Sequence, residues 1–167
     1  LAAMASSLAA TLGAWWSLHH GGAASVAVRI PWLPNDGGSI ASLGILADHN
    51  SIVMLALVTL VATLVQLYSL EYLHDEPPAS LGRYYAYQSL FAFSMMGLVL
   101  APGFLQLFIF WELVGLCSYL LIGYWYDRPE AARAAVKAFW ITKAGDVGLL
   151  VGIVLLWLRT GTFDYLE

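Results

Sequence analysis

The chain has 167 residues, of which 60% are hydrophobic and 11% charged, with a net charge of −4. A water-soluble domain carries about twice that share of charge, so the composition describes an integral membrane protein. No basic stripe is present to serve nucleic acid. The single cysteine, Cys117, excludes an internal disulfide and has no companions for a cysteine metal site.

Residues 1–18 are apolar and small, and Trp15 and Trp16 mark an exit into a membrane interface. The run lacks the charged start of a signal peptide and follows no initiator Met. It reads as part of a transmembrane helix in a piece of a longer protein. His19 and His20 should end that helix; adjacent histidines point to different faces and read as interfacial polar residues rather than metal ligands.

Residues 19–50 form a loop of a different kind. Val26, Val28, Ile30 and Trp32 alternate with small or polar residues, a period of two. Pro34-Asn35-Asp36-Gly37-Gly38 is a turn signal, and Ile40–Leu46 is a second apolar run. The pattern predicts a β-hairpin on one membrane face, in contact with neighbours.

Four more spans are expected at 51–74, 84–101, 104–125 and 131–158. Asp75-Glu76-Pro77-Pro78 separates the first two, and Ala101-Pro102-Gly103 turns the second back on the third. Pro129 is placed to start the last, which is too long to lie wholly in lipid. The expected fold class is an all-α transmembrane bundle carrying a β-hairpin. Arg29 and Arg159 fall at one end, and Arg83, Arg128, Arg133 and Lys137 at the other. The excess marks the second end as cytoplasmic, so the hairpin is expected on the outer face.

Ionisable residues inside spans are the candidates for chemistry. A charge at a helix centre in lipid costs at least about 2.5–3.5 kcal/mol, so it needs a partner or a task. Glu112 stands in the run Phe108–Trp125, with no cation at helical spacing on its own face. Gly115 on that face allows a second helix to approach. Its partner must come from another helix or from water. A lysine that moves would switch the carboxylate between charged and protonated states, as a proton relay requires. Lys143 and Asp146 are three residues apart, share a helix face and can pair. Lys137 is a fourth candidate, nearer the helix end. Gly145, Gly148 and Gly152 read as packing positions, and Cys117, on another face, as a small core residue. No nucleophile–base pair or metal cluster stands out.

The runs FWELVGLCSYLLIGYW, RPEAARAAVKAF and GDVGLLVGI, together with YSLEYLHDEP and TGTFDYLE, closely resemble the largest antiporter-like membrane subunit of respiratory complex I, the subunit L type. The likeness covers most of residues 45–167. It implies a fragment of a larger antiporter-like fold, a proton-pumping module driven by quinone reduction elsewhere. This chain would hold no cofactor and no redox site of its own. Its expected partners are other membrane subunits, above all a neighbouring antiporter-like subunit, and the bilayer of a bacterial plasma, mitochondrial inner or plastid membrane. It also implies that Glu112 pairs with a lysine on a later helix, beyond Glu167. Asp146 matches the family's G-D motif, and Lys143 stands where the family usually has arginine. Related cation/proton antiporter, membrane-bound hydrogenase and bicarbonate-uptake subunits share this core. A purely structural membrane subunit is the rival reading.

Overall fold

The computed structural model describes residues 2–21, 25–35 and 38–165. Five helices and one hairpin follow in chain order: α1 (Ala2–Gly21), β1 (Ser25–Asn35), β2 (Gly38–Asp48), α2 (His49–Tyr72), α3 (Pro78–Val99), α4 (Phe104–Ile122) and α5 (Pro129–Thr160). Each helix packs on the next one in sequence. Among the described residues, α2, α4 and α5 are long and apolar enough to cross a membrane.

The helix ends follow from local chemistry. Asp48 and Ser51 form a reciprocal cap on α2: the Asp48 side chain accepts from the Ser51 amide at 2.7 Å, and Ser51 Oγ accepts from the Asp48 amide at 2.8 Å. α3 begins at Pro78, six residues before the expected start at 84, because a proline fits the first turn and lets the helix form at once. α4 stops at Ile122 rather than continuing to 125, and the chain turns through Gly123–Arg128. α5 starts at Pro129 and ends where Gly161 takes φ +80°, a left-handed conformation that glycine adopts without strain. Its 32 residues extend about 48 Å, more than the ~30 Å hydrocarbon layer. α1 remains helical through Gly21, so the His19–His20 backbone lies in its last turn.

Burial runs opposite to that of a soluble bundle. On α2 the buried positions are Ile52, Thr59, Ala62, Gln66 and Ser69, four of the five small or polar, while Leu57, Leu60, Leu64 and Leu67 face outward. Small and polar side chains join the helices, as expected where lipid removes the hydrophobic drive to associate. Ser69 Oγ meets Tyr84 Oη at 2.8 Å across the α2–α3 seam. Gly97 on α3 admits the Phe110 ring of α4, which a Cβ there would displace.

β1 and β2 pair antiparallel from Ser25↔Asp48 to Asn35↔Gly38, with irregularities around Leu33. The turn residues Asp36 and Gly37 lie outside the described residues. Every second residue of the outer edge of β2 is engaged. The Ile40 carbonyl accepts from Phe163 N at 2.8 Å. Ser42 donates from its amide and hydroxyl to the Asp164 carboxylate, at 3.1 and 2.7 Å. The Gln106 side chain of α4 makes a two-way pair with the Gly44 backbone, at 2.8 and 3.0 Å. Leu46 N donates to Leu100 O at 2.9 Å. The hairpin, the α3–α4 turn and the residues after α5 therefore form one unit at one end of the bundle. The other face of β1 exposes Val26, Val28, Ile30 and Trp32.

Candidate functional site

Glu112 lies midway along α4, and Lys143 and Asp146 lie midway along α5. The two helices pack together, and Gly115 permits the approach: a Cβ there would sit 3.6 Å from Lys143 Nζ. The Lys143 ammonium is hydrogen-bonded to Glu112 Oε2 and, at 3.0 Å, to Asp146 Oδ2. It also rests 5.4 Å from the centre of the Phe139 ring.

The partner of Glu112 in this structure is thus Lys143, within the chain. That partner lies on another helix, as the residues themselves require; the family resemblance implies a lysine beyond Glu167 instead, and the spacing on α5 pairs Lys143 with Asp146. The i,i+3 spacing on α5 hid the second link, which depends on how α4 and α5 are registered against each other. Lys137 is not drawn in; its side chain is exposed and forms no ion pair among the described residues.

Trp111 is a member that sequence reasoning missed. Its indole N–H donates to Asp146 Oδ1 at 2.8 Å. Each Asp146 oxygen therefore has its own donor, Trp111 on one and Lys143 on the other. That coverage suits a carboxylate only 8% exposed. The signal was present in the sequence, since Trp111 directly precedes Glu112. On a membrane helix, though, tryptophan reads first as an interfacial anchor.

The cluster separates two clefts. Asp146 and Trp111 line one of about 540 Å³, with Ser118, Thr142 and Gly145. Glu112 and Lys143 line another of about 450 Å³, with Leu116 and Phe139. Gly145, Gly148 and Gly152, expected to pack against a helix, meet no atom within 4 Å of a Cβ built on them. Cys117 is fully buried, with its sulfur 3.9 Å from Ser94 Oγ, and takes no part. No group of three His, Cys, Asp or Glu side chains could hold a metal among the described residues.

Chemically, two carboxylates share one ammonium, which therefore has two acceptors within its reach.

Two family models match the chain. One, described as "NADH-Ubiquinone oxidoreductase (complex I), chain 5 N-terminus", covers residues 32–85. The other, "NADH:quinone oxidoreductase/Mrp antiporter, TM", covers residues 101–167. Among curated relatives, "NAD(P)H-quinone oxidoreductase chain 5" of Synechocystis sp. is 51% identical over 86% of this chain and 21% of its own length. "NAD(P)H-quinone oxidoreductase subunit 5, chloroplastic" of Nephroselmis olivacea is 45% identical over 99% of this chain and 25% of its own. Among solved structures, a chain of the Mrp complex from Dietzia sp. superposes with a TM-score of 0.76 at 31% identity, over 96% of this chain and 17% of that one. The membrane helices, hairpin and buried charges define an antiporter-like membrane module. Within that class, the chain belongs to the complex I family of NAD(P)H-quinone oxidoreductase chain 5 subunits. It spans about a fifth to a quarter of the length of these curated relatives.

Proposed function

We propose that the chain is the part of a proton-translocating membrane subunit that holds one protonation site. The observation that carries this reading is Lys143 shared between two carboxylates that face different clefts. When the ammonium rests on Asp146, Glu112 is left beside an open cleft without a counter-ion, and taking up a proton relieves the uncompensated charge. When the ammonium returns to Glu112, that proton is expelled. Trp111 remains on Asp146 throughout and steadies the carboxylate while Lys143 is away. Quinone reduction elsewhere in a NAD(P)H:quinone oxidoreductase supplies the drive in this reading. No cofactor is assigned to the chain.

The exposed apolar face of β1, at the end expected to lie outside, is assigned to contact with a neighbouring antiporter-like subunit. A subunit of a cation/proton antiporter is the second reading, favoured by the likeness to the Mrp structure. The higher identities to the oxidoreductase subunits favour the first.

Proton uptake by sealed vesicles carrying the assembled complex tests the reading. Glu112→Gln keeps the shape and removes the titrating group. Proton translocation per electron should fall while subunit content is unchanged. An unaltered ratio would leave Glu112 a structural charge.

A further inference from the structure

At the end of the bundle away from the hairpin, α3, α4 and α5 enclose a cleft of about 250 Å³. Arg83, in the second turn of α3, lines it and is half-buried. The guanidinium lies 5.5 Å from the centre of the Tyr124 ring and 4.9 Å from that of Tyr126. Ring faces hold such a cation without neutralising it. Its two hydrogen bonds, to Ser80 Oγ and the Tyr124 carbonyl, are both long at 3.4 Å. No carboxylate lies within ion-pair distance of it among the described residues. A guanidinium has five N–H donors, so most of its capacity is unused.

Tyr87, Tyr119 and Tyr126 line the same cleft. None of their hydroxyls has a hydrogen-bond partner among the described residues. A cation and three hydroxyls that gather on one cavity suit a ligand made of anionic acceptor oxygens. The remaining lining includes Leu120, Ala132 and Val136, so the ligand also presents apolar surface. The adjoining loop and first turns of α5 carry Arg128, Arg133 and Lys137 together with Asp127 and Glu130, all exposed. Among the described residues, Arg83 is the cation that lines the cleft.

Position decides which anion. Tyr68, Tyr72 and Tyr126 are exposed at this end of the bundle, where aromatic residues mark the membrane interface. Basic pockets between membrane helices on the cytoplasmic side are placed to take acidic lipid headgroups. An arginine that merely reached for water would extend away from the helices; Arg83 is instead folded over two rings. We propose that this cleft binds the phosphate headgroup of an anionic lipid, held by Arg83 and the hydroxyls of Tyr87, Tyr119 and Tyr126. The site is separate from the Glu112 cluster and stands whether or not that cluster moves protons.

The test is native mass spectrometry of the full-length protein in its complex, purified into nanodiscs of phosphatidylcholine with phosphatidylglycerol. The wild type should retain one more phosphatidylglycerol than Arg83→Gln, which should bind it about tenfold more weakly. Arg133→Gln should retain the wild-type number. Equal retention in wild type and Arg83→Gln overturns the proposal. Displacement of the lipid by excess inorganic phosphate makes this a free-anion site and overturns the lipid assignment. If Arg83→Gln does not assemble, Tyr126→Phe, which keeps the ring over Arg83, decides: undiminished retention in that variant also overturns the proposal.

Discussion

At Lys143 one ammonium serves two carboxylates, so the pairing of both depends on a single side chain. Trp111 is the fixed donor in this arrangement. Trp111→Phe keeps an aromatic ring, though a smaller one, and removes the N–H. A hydrogen bond to a charged group contributes about 1.5–3 kcal/mol, and its loss leaves Asp146 dependent on Lys143. The ammonium is then held on Asp146, and coupled turnover should drop several-fold with assembly intact. Measured proton translocation at the wild-type rate would remove Trp111 from the site. Glu112 was legible in the sequence because a carboxylate inside an apolar run has few innocent explanations. Its link to Lys143 was not legible, because it joins residues 31 positions apart through the register of two helices, which no local pattern encodes.

Between elements, β2 is held less by its own apolar residues than by polar groups that complete its edge. Asp164 is the tightest of these, buried and bonded twice to Ser42. Asp164→Ala leaves two buried Ser42 donors unpaired, a loss of about 1–3 kcal/mol for each. Hydrogen exchange at the Ser42 amide should accelerate, with α2 unaffected; unchanged protection would show that the hairpin is held by other contacts. The alternation of Val26 through Trp32 made the hairpin readable. Its docking was not, since Gln106 and Asp164 are distant in sequence and gave no sign of pairing with a strand. The start of α2 carries a pH response. The Ser51 amide, by donating to Asp48, holds that carboxyl below its usual value of 3.8. The stabilisation is therefore fully present above that value and disappears as the pH falls through it to the lower folded-state value. Circular dichroism of the reconstituted protein should show helix loss on acidification through that range. Asp48→Asn, which caps without titrating, should flatten this response, and an undiminished response would place its origin elsewhere.

Across the molecule, the helices alternate in direction. The hairpin, the α3–α4 turn and the end of α5 share one end, and residues 73–77 and 123–128 lie at the other. Thr162→Cys and Asp127→Cys should react with a membrane-impermeant thiol reagent from opposite sides of sealed vesicles. Labelling of both from one side would contradict the topology. The helices could be counted from apolar runs and turn residues, while their ends shifted where prolines and glycines allowed; among the described residues only α2, α4 and α5 are long and apolar enough to cross a membrane. Pro78 opened α3 early, and α4 closed just before Gly123. The two clefts beside the triad belong to the packing of α4 on α5, with α3 lining one of them, and left no trace in the linear pattern. In the proposed mechanism, Lys143 moves between Asp146 and Glu112 and so drives a proton on and off. The most direct measurement is the number of protons translocated per electron in vesicles carrying Lys143→Gln, with the complex shown to be assembled. The ratio should fall below the wild-type value because the moving charge is gone; a wild-type ratio would contradict the account.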